Sequence, residues 1–373
     1  ETVQQLLREE HNINEIVYIN FDDERLRQMT ADDLDLILQA YHSLFDLRPL
    51  LFFDEIQNIE GWEHFARRLA NQKYNIYITG SNAKMLSREI ATTLGGRFWN
   101  KDVYPYSFAE YLNARNIILS KNWIYGKQAA EVSKAFNDYF LYGGFPELTD
   151  VIAKRVWLND IYSKIFFSDL IVRNKVRNEE ALGLLVRRLA ENVKQPISYT
   201  RLANLISSIG IKISKATVIE FIRYLKESCL IFPIENYAAK FAERNSNMKH
   251  YFIDNGLLSI FLLDGNTSLL ENIVAIHLYK RYGAQLYFYN QNIEVDFIIP
   301  EAKTAIQVSY SLMDETTCRR EVEGLIKLNR VFPMDNMCII TRDEERIITH
   351  ESGVSIHVIP VWKWLLEEEP LQT

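Results

Sequence analysis

The chain has 373 residues, a length that predicts two or three domains, and its 48% hydrophobic and 24% charged residues give the balance of a soluble globular protein. No apolar run approaches the roughly 18 residues needed to span a bilayer, which argues against a helical membrane protein, and with no signal-like start the cytoplasm is the expected compartment. A net charge of −7 argues against a chain that coats nucleic acid along its length, and Cys229, Cys318 and Cys338, odd in number and without metal-ligand spacing, read as small core residues in a reducing compartment.

Residues 1–12 read as a helix already under way, with Val3, Leu6 and Leu7 on one face, followed by a strand over 16–21 and the acidic turn Asp22-Asp23-Glu24. A second helix is expected over 31–46, where Leu34, Ile37, Leu38 and Tyr41 recur at spacings of three and four. It leads into Leu50-Leu51-Phe52-Phe53-Asp54-Glu55, four apolar residues that read as a strand buried on both faces and end in two adjacent carboxylates. Trp62, Phe65 and Leu69 supply the next helix face, and the strand Asn75–Thr79 ends in the polar turn Gly80-Ser81-Asn82. Such alternation predicts a parallel sheet, whose strand ends are where ligands bind. An ATPase uses one carboxylate there to hold Mg²⁺ and a second to polarise water. A core strand running into a helix with acids in its first turn explains the hexapeptide equally well.

From Phe108 to about Asn178 the pattern is helical and aromatic. It is interrupted by Tyr142-Gly143-Gly144-Phe145-Pro146-Glu147, whose glycines permit a tight turn and whose proline stops a helix. Three helices then follow: one carries Leu182, Leu185, Leu189 and Val193, one spans Tyr199–Ser207 with Ser198 as its cap, and one carries Val218, Ile222, Leu225 and Cys229. Strands at 230–232 and 251–253 complete a winged helix-turn-helix with 214–228 as the recognition helix. Residues 179–250 hold 11 lysines and arginines against 7 acids, a local +4 that points to DNA. Lys215, Arg223 and Lys226 are the phosphate-contact candidates, although Glu220 and Glu227 share their helix, and winged helices also dock proteins.

A helix over 269–282 contains Glu271. Strands are expected at 286–289, 294–299 and 305–310, then a charged helix at 315–329, strands at 337–341 and 354–359, and an amphipathic tail from Val361 to Leu366. If the second and third strands pair as a hairpin, Asp296 and Gln307 share a face.

The runs LLFFDEIQNIEGWE, YITGSNAKMLSREIATTLGGRF and VYPYSFAEYL, in that order, resemble the prokaryotic AAA+ ATPases of the archaeal-type clade that carry a nuclease-like domain at the C-terminus. By that resemblance Asp54 is the Walker B ligand of Mg²⁺ and Glu55 the catalytic base, while Ser81 or Asn82 senses the γ-phosphate. Arg97, after Gly95-Gly96, is the arginine finger presented to a neighbouring subunit, which implies ATP and Mg²⁺ as cofactors and a homo-oligomer while ATP is bound. No GxxxxGK[ST] occurs in the sequence. The expected reason is that the sequence starts just past that loop, since Glu1 is no initiator Met and residues 1–8 resemble the helix that follows it. As it stands, the chain is expected to bind ATP weakly or not at all.

EVDF on one strand and IQVSYS on the next resemble the PD-(D/E)XK nuclease fold. Glu271 and Asp296 take its first two metal-ligand positions, but Gln307 replaces the third acid and Ser309 the lysine, with Lys303 or Arg320 as nearby substitutes. The implied fold is α/β: an AAA+ P-loop NTPase core over 1–118, a helical linker over 119–178, a winged helix over 179–253 and a restriction-endonuclease-like domain over 254–373. The leading expectation is an ATPase that couples its nucleotide state to the winged helix and a degenerate nuclease-like domain, acting on DNA. The alternatives are a scaffold with both sites lost and an ATP-switched, metal-dependent DNA nuclease.

Overall fold

In the computed structural model, which describes residues 2–80, 92–96, 98–240, 244 and 246–367, the chain divides into two compact units, residues 1–102 with 227–229 and residues 103–226 with 230–373. The first unit runs α1 (Thr2–Arg8), β1 (Ile16–Asn20), α2 (Asp35–Leu44), β2 (Leu50–Asp54), α3 (Trp62–Asn71) and β3 (Ile76–Ile78). Its strands form a parallel sheet in the order β1-β2-β3, with Asn20 opposite Asp54 and Phe53 opposite Ile78. Leu51 and Phe53 are buried in one cluster with Trp62, Phe65 and Leu69 of α3. On the other face the Phe52 ring stacks on Tyr77 with centroids 4.5 Å apart. Burying both faces of β2 is the main stabilisation of this unit, about 1.5–3 kcal/mol for each large apolar side chain. The helix expected over 31–46 is split. It opens as a 3₁₀ turn, Ala31–Leu34, because the Asp33 carboxylate accepts from the Thr30 backbone N–H at 2.9 Å, and it becomes α-helical only at Asp35.

The second unit opens with α4 (Phe108–Ala114), α5 (Lys127–Tyr142) and α6 (Lys154–Lys164), the last continuing as a π-helix over Ile165–Val172. Between α5 and α6 the Gly143-Gly144 turn wraps a buried carboxylate. Asp254 accepts backbone N–H bonds from Gly144 at 2.8 Å, Gly256 at 2.7 Å and Leu257 at 3.3 Å. Gly143 has φ +79°, and a Cβ there would lie 2.0 Å from Asp254 Oδ1; one on Gly144 would lie 2.2 Å from the Tyr106 carbonyl oxygen. Both positions therefore require glycine.

Next come α7 (Glu179–Glu191), β4 (Ile197–Ser198), α8 (Tyr199–Ser207), α9 (Lys215–Glu227), β5 (Ile231–Asn236) and β6 (Asn247–Phe252). The chain ends in α10 (Asn255–Ser259), α11 (Asn266–Tyr282), β7 (Tyr287–Asn290), β8 (Glu294–Ile299), β9 (Thr304–Val308), α12 (Glu315–Val331), β10 (Asn336–Thr341), β11 (Arg346–Thr349), β12 (Ser355–Pro360) and α13 (Val361–Glu367). Among the described residues one nine-stranded sheet, β11-β12-β10-β9-β8-β7-β5-β6-β4, runs through all of these strands. Its join is β5, which pairs antiparallel with β6 and parallel with β7. Backbone hydrogen bonding thus crosses residues 253/254, where the sequence suggested a boundary. The cysteines correct an expectation: Cys229 is exposed and Cys318 and Cys338 are half-buried, so none is a fully buried core residue.

Candidate functional site

At the carboxyl edge of the β1-β2-β3 sheet, Asp54 is the last residue of β2 and Glu55 the first beyond it. One oxygen of Asp54 accepts from the Tyr18 hydroxyl at 2.8 Å and the other from the Thr79 hydroxyl, so residues from β1 and from the end of β3 hold it in place. Donating to a carboxylate raises the pKa of the Tyr18 phenol. Glu55 has φ 54° and ψ 35°, the left-handed region, which costs a non-glycine residue on the order of 1 kcal/mol or more. The Gln57 amide donates to its Oε2. The edge offers carboxylate and hydroxyl oxygens, the hard donors that Mg²⁺ takes, so the residues present fit that ion. Ser81, Asn82 and Arg97 lie outside the described residues. Tyr18, Thr79 and Gln57 escaped the sequence reading, although strand pairing alone would have placed Thr79 beside Asp54.

The second unit gathers a different set of acids. Glu271 of α11 and Asp296 of β8 converge on Lys249 of β6, whose Nζ lies 3.1 Å from Glu271 Oε1 and 3.0 Å from Asp296 Oδ1. The lysine is 0% exposed. Tyr251, also on β6, donates its hydroxyl to Glu271 Oε1 at 2.7 Å. The second Asp296 oxygen accepts from the Val308 N–H at 3.0 Å. Gln307 is occupied by backbone: its oxygen accepts from the Asp296 N–H at 2.9 Å and its amide donates to the Glu294 carbonyl at 3.1 Å. Burial works against the Lys249 charge, but the attraction of Glu271 and Asp296 outweighs it and raises the lysine pKa. Burial pushes the Glu271 carboxyl up to about 7, with Lys249 opposing the rise.

Glu271, Asp296, Gln307 and Val308 border an open cleft of 680 Å³ that is also lined by Lys194, Arg320, Glu321 and Lys327. Arg320 faces the cleft as expected but is paired with Glu321, whereas Lys303 sits in the turn at the far end of β8 and pairs with Asp335 at 3.4 Å. Among the described residues no group of three or more His, Cys, Asp or Glu side chains is placed to hold a metal ion. The set Glu271, Asp296 and Gln307 does not fit the Mg²⁺ that the nuclease resemblance implies.

On α9, Lys215, Arg223 and Lys226 are all exposed, with Glu220 3.9 Å from Arg223 on the same helix. No helix among the described residues is long and apolar enough to cross a membrane.

Residues 2–112 match the family model of an AAA domain, and residues 133–268 match a domain of unknown function (DUF8612). The chain is 34% identical to the uncharacterized protein MJ1544 of Methanocaldococcus jannaschii over 95% of its own length and 83% of that protein. It is 30% identical to an uncharacterized protein of Haemophilus influenzae over 94% of its length and 86% of the relative. Among solved structures, the Walker-type ATPase PABY2304 of Pyrococcus abyssi superposes with a TM-score of 0.38 at 13% identity, covering 69% of this chain and 75% of the other. The chain therefore belongs to the same family as MJ1544, and the N-terminal part of this chain matches an AAA domain.

Proposed function

We propose that the AAA domain binds and hydrolyses ATP at the edge formed by Asp54 and Glu55, and that nucleotide state is coupled to a winged helix and a nuclease-like domain that act on DNA without cutting it. The supporting observation is the pairing of Asp54 with the Tyr18 and Thr79 hydroxyls beside a Glu55 held in the left-handed region. Asp54 is the residue that would hold Mg²⁺, which when bound neutralises charge on the transferring phosphoryl group. Tyr18 and Thr79 fix the direction of the Asp54 oxygens. Glu55 takes the proton of the water that attacks the γ-phosphorus as the bond to the ADP oxygen breaks, and Gln57 orients its carboxylate. In the same reading Ser81 or Asn82 senses the γ-phosphate and Arg97 reaches the site of a neighbouring subunit in a homo-oligomer.

Glu55→Gln, tested in the protein produced from its own start codon, should lower ATP turnover by roughly 10²–10⁴-fold and leave ATP binding intact. Unchanged turnover would remove Glu55 from its role.

The order α7, β4, α8, α9, β5, β6, with β6 paired to both β4 and β5, supports reading this segment as a winged helix with α9 as the recognition helix. Reversing Lys215, Arg223 and Lys226 to glutamate should weaken duplex binding and flatten its salt dependence by about one unit of slope for each phosphate that is no longer neutralised. Binding that keeps its affinity and slope would favour protein docking through this helix. The domain order α11, β7, β8, β9, α12, β10 supports the nuclease-like assignment, and Gln307 and Ser309 in place of an acid and a lysine support the absence of cleavage.

A further inference from the structure

We propose that Lys249 is a built-in cation that occupies the acidic centre of the C-terminal sheet in place of a divalent metal, so that the cleft beside it works without metal. Nζ bridges Glu271 Oε1 and Asp296 Oδ1 at 3.1 and 3.0 Å, and these are the two carboxylates that the sequence pattern marks as metal ligands. The second Asp296 oxygen and the Gln307 amide are engaged as well. Tyr251 shares Glu271 Oε1, Val308 holds the second Asp296 oxygen, and the Gln307 amide is used up by the backbone of Asp296 and Glu294. Mg²⁺ needs close to six oxygens in an octahedron. Here it would have to enter beside a buried ammonium that already balances the acids, and like charges repel strongly when water is excluded. A lysine hydrogen-bonded to two carboxylates supplies one fixed positive charge there with no ion to gain or lose.

The origin of this lysine bears on the argument. Lys249 is on β6, the strand that also pairs with β4 and β5 of the helix-turn-helix segment, while Glu271 and Asp296 lie on α11 and β8. The charge of the acidic centre is therefore set by a neighbouring element of the same sheet and held with the ammonium 5.6 Å from the Phe288 ring centroid. The inference does not depend on the ATPase reading, because none of its residues belongs to the first unit.

The test uses Mn²⁺ as probe, followed by electron paramagnetic resonance and calorimetry in an Asp54→Asn background that removes the carboxylate proposed to hold Mg²⁺ in the first unit. With Lys249 present, no Mn²⁺ should bind at this centre. Lys249→Met should gain one Mn²⁺ site, at least about tenfold tighter than any in its parent, and Asp296→Asn should abolish it. Without metal, Lys249→Met should melt on the order of 10 °C lower, and Mn²⁺ should restore the loss. If Lys249→Met alone does not fold, the double variant with Glu271→Gln decides, since removing a buried acid together with the lysine should recover most of the melting temperature. Three results would overturn the proposal: Mn²⁺ bound by the lysine-containing protein and lost in Asp296→Asn, Mn²⁺-dependent DNA cleavage by the unaltered chain, or a double variant as unstable as the single one.

Discussion

The chain presents two pairs of carboxylates that solve the problem of negative charge in opposite ways. Asp54 and Glu55 stand half-exposed at the end of a parallel sheet, and the partners of Asp54 among the described residues are two neutral hydroxyls. Glu271 and Asp296 lie inside a sheet-and-helix core, and a fully buried lysine sits between them. The first pair stands at a half-exposed sheet edge. The second pair is only 5% and 14% exposed, and burying such a pair uncompensated would cost several kcal/mol, which the Lys249 counter-charge offsets. The same reasoning places strain at the open pair, where Glu55 keeps a left-handed backbone that no packing requirement in β2 explains.

The contrast breaks first at Glu55. The expected fall in turnover for Glu55→Gln, roughly 10²–10⁴-fold, should come with little change in thermal stability, since the carboxylate is not part of the packed core. The opposite profile is expected at Lys249. Lys249→Met should cost about 3–5 kcal/mol in urea unfolding, the range for removing one partner of a buried ion pair, while steady-state ATP turnover per folded molecule stays the same. A Lys249 variant with unaltered stability would mean that the buried pair is as tolerant as the open one, and the comparison would collapse.

Asp254 sharpens the picture, because it is a buried carboxylate held by three backbone N–H groups and raised by burial to about 6. Its enclosure depends on Gly143. Gly143→Ala combines an unfavourable backbone region with a direct clash against Asp254 and should destabilise the second unit by roughly 3 kcal/mol or more, read as a lowered denaturant midpoint. A loss under about 1 kcal/mol would show the turn to be loose.

The smallest effect tests burial of the other sign of charge. His250 follows Lys249 on β6, is buried with neither ring nitrogen hydrogen-bonded, and is held neutral by burial and by Lys226, its pKa lowered to about 4. A depressed histidine means that the unfolded chain binds the extra proton first, so the stability it permits is complete above pH 6.5 and is lost as pH falls toward 4. His250→Leu should therefore raise the melting temperature more at pH 5 than at pH 8, by a difference worth about 2 kcal/mol. Equal gains at both pH values would place the ring in contact with water.

Much of the architecture was legible because periodicity is local. The alternation in Glu294–Ile299, the 3–4 spacing of Val218, Ile222 and Leu225, and the apolar run at 50–53 each specify an element from within a few residues, and the observed bounds differ by one or two positions. Asp54 and Glu55 were visible as acids at a strand end, and Glu271 and Asp296 through the resemblance of their helix and strand to a nuclease pattern. Lys249 was not. A lysine in Asn247–Phe252 reads as an exposed residue of a strand start, and its partners lie 22 and 47 residues away, so only tertiary packing brings them together. The parallel pairing of β5 with β7 is invisible for the same reason, and β11, with only partly buried and exposed side chains along an edge, shows no apolar alternation to detect. Asp254 and the two glycines that enclose it are 110 residues apart in the chain, which is why Tyr142–Glu147 could be read as a turn but not as one built around a carboxylate.

The position of β5 also has a hereditary consequence. Recombination that exchanged the segment before residue 254 for an unrelated one would remove Lys249 and leave Glu271 and Asp296 facing each other without it, together with an unpaired edge on β7. The two segments are therefore expected to be inherited and to diverge as one block, with any change at Lys249 tolerated only in lineages that also change one of its acids.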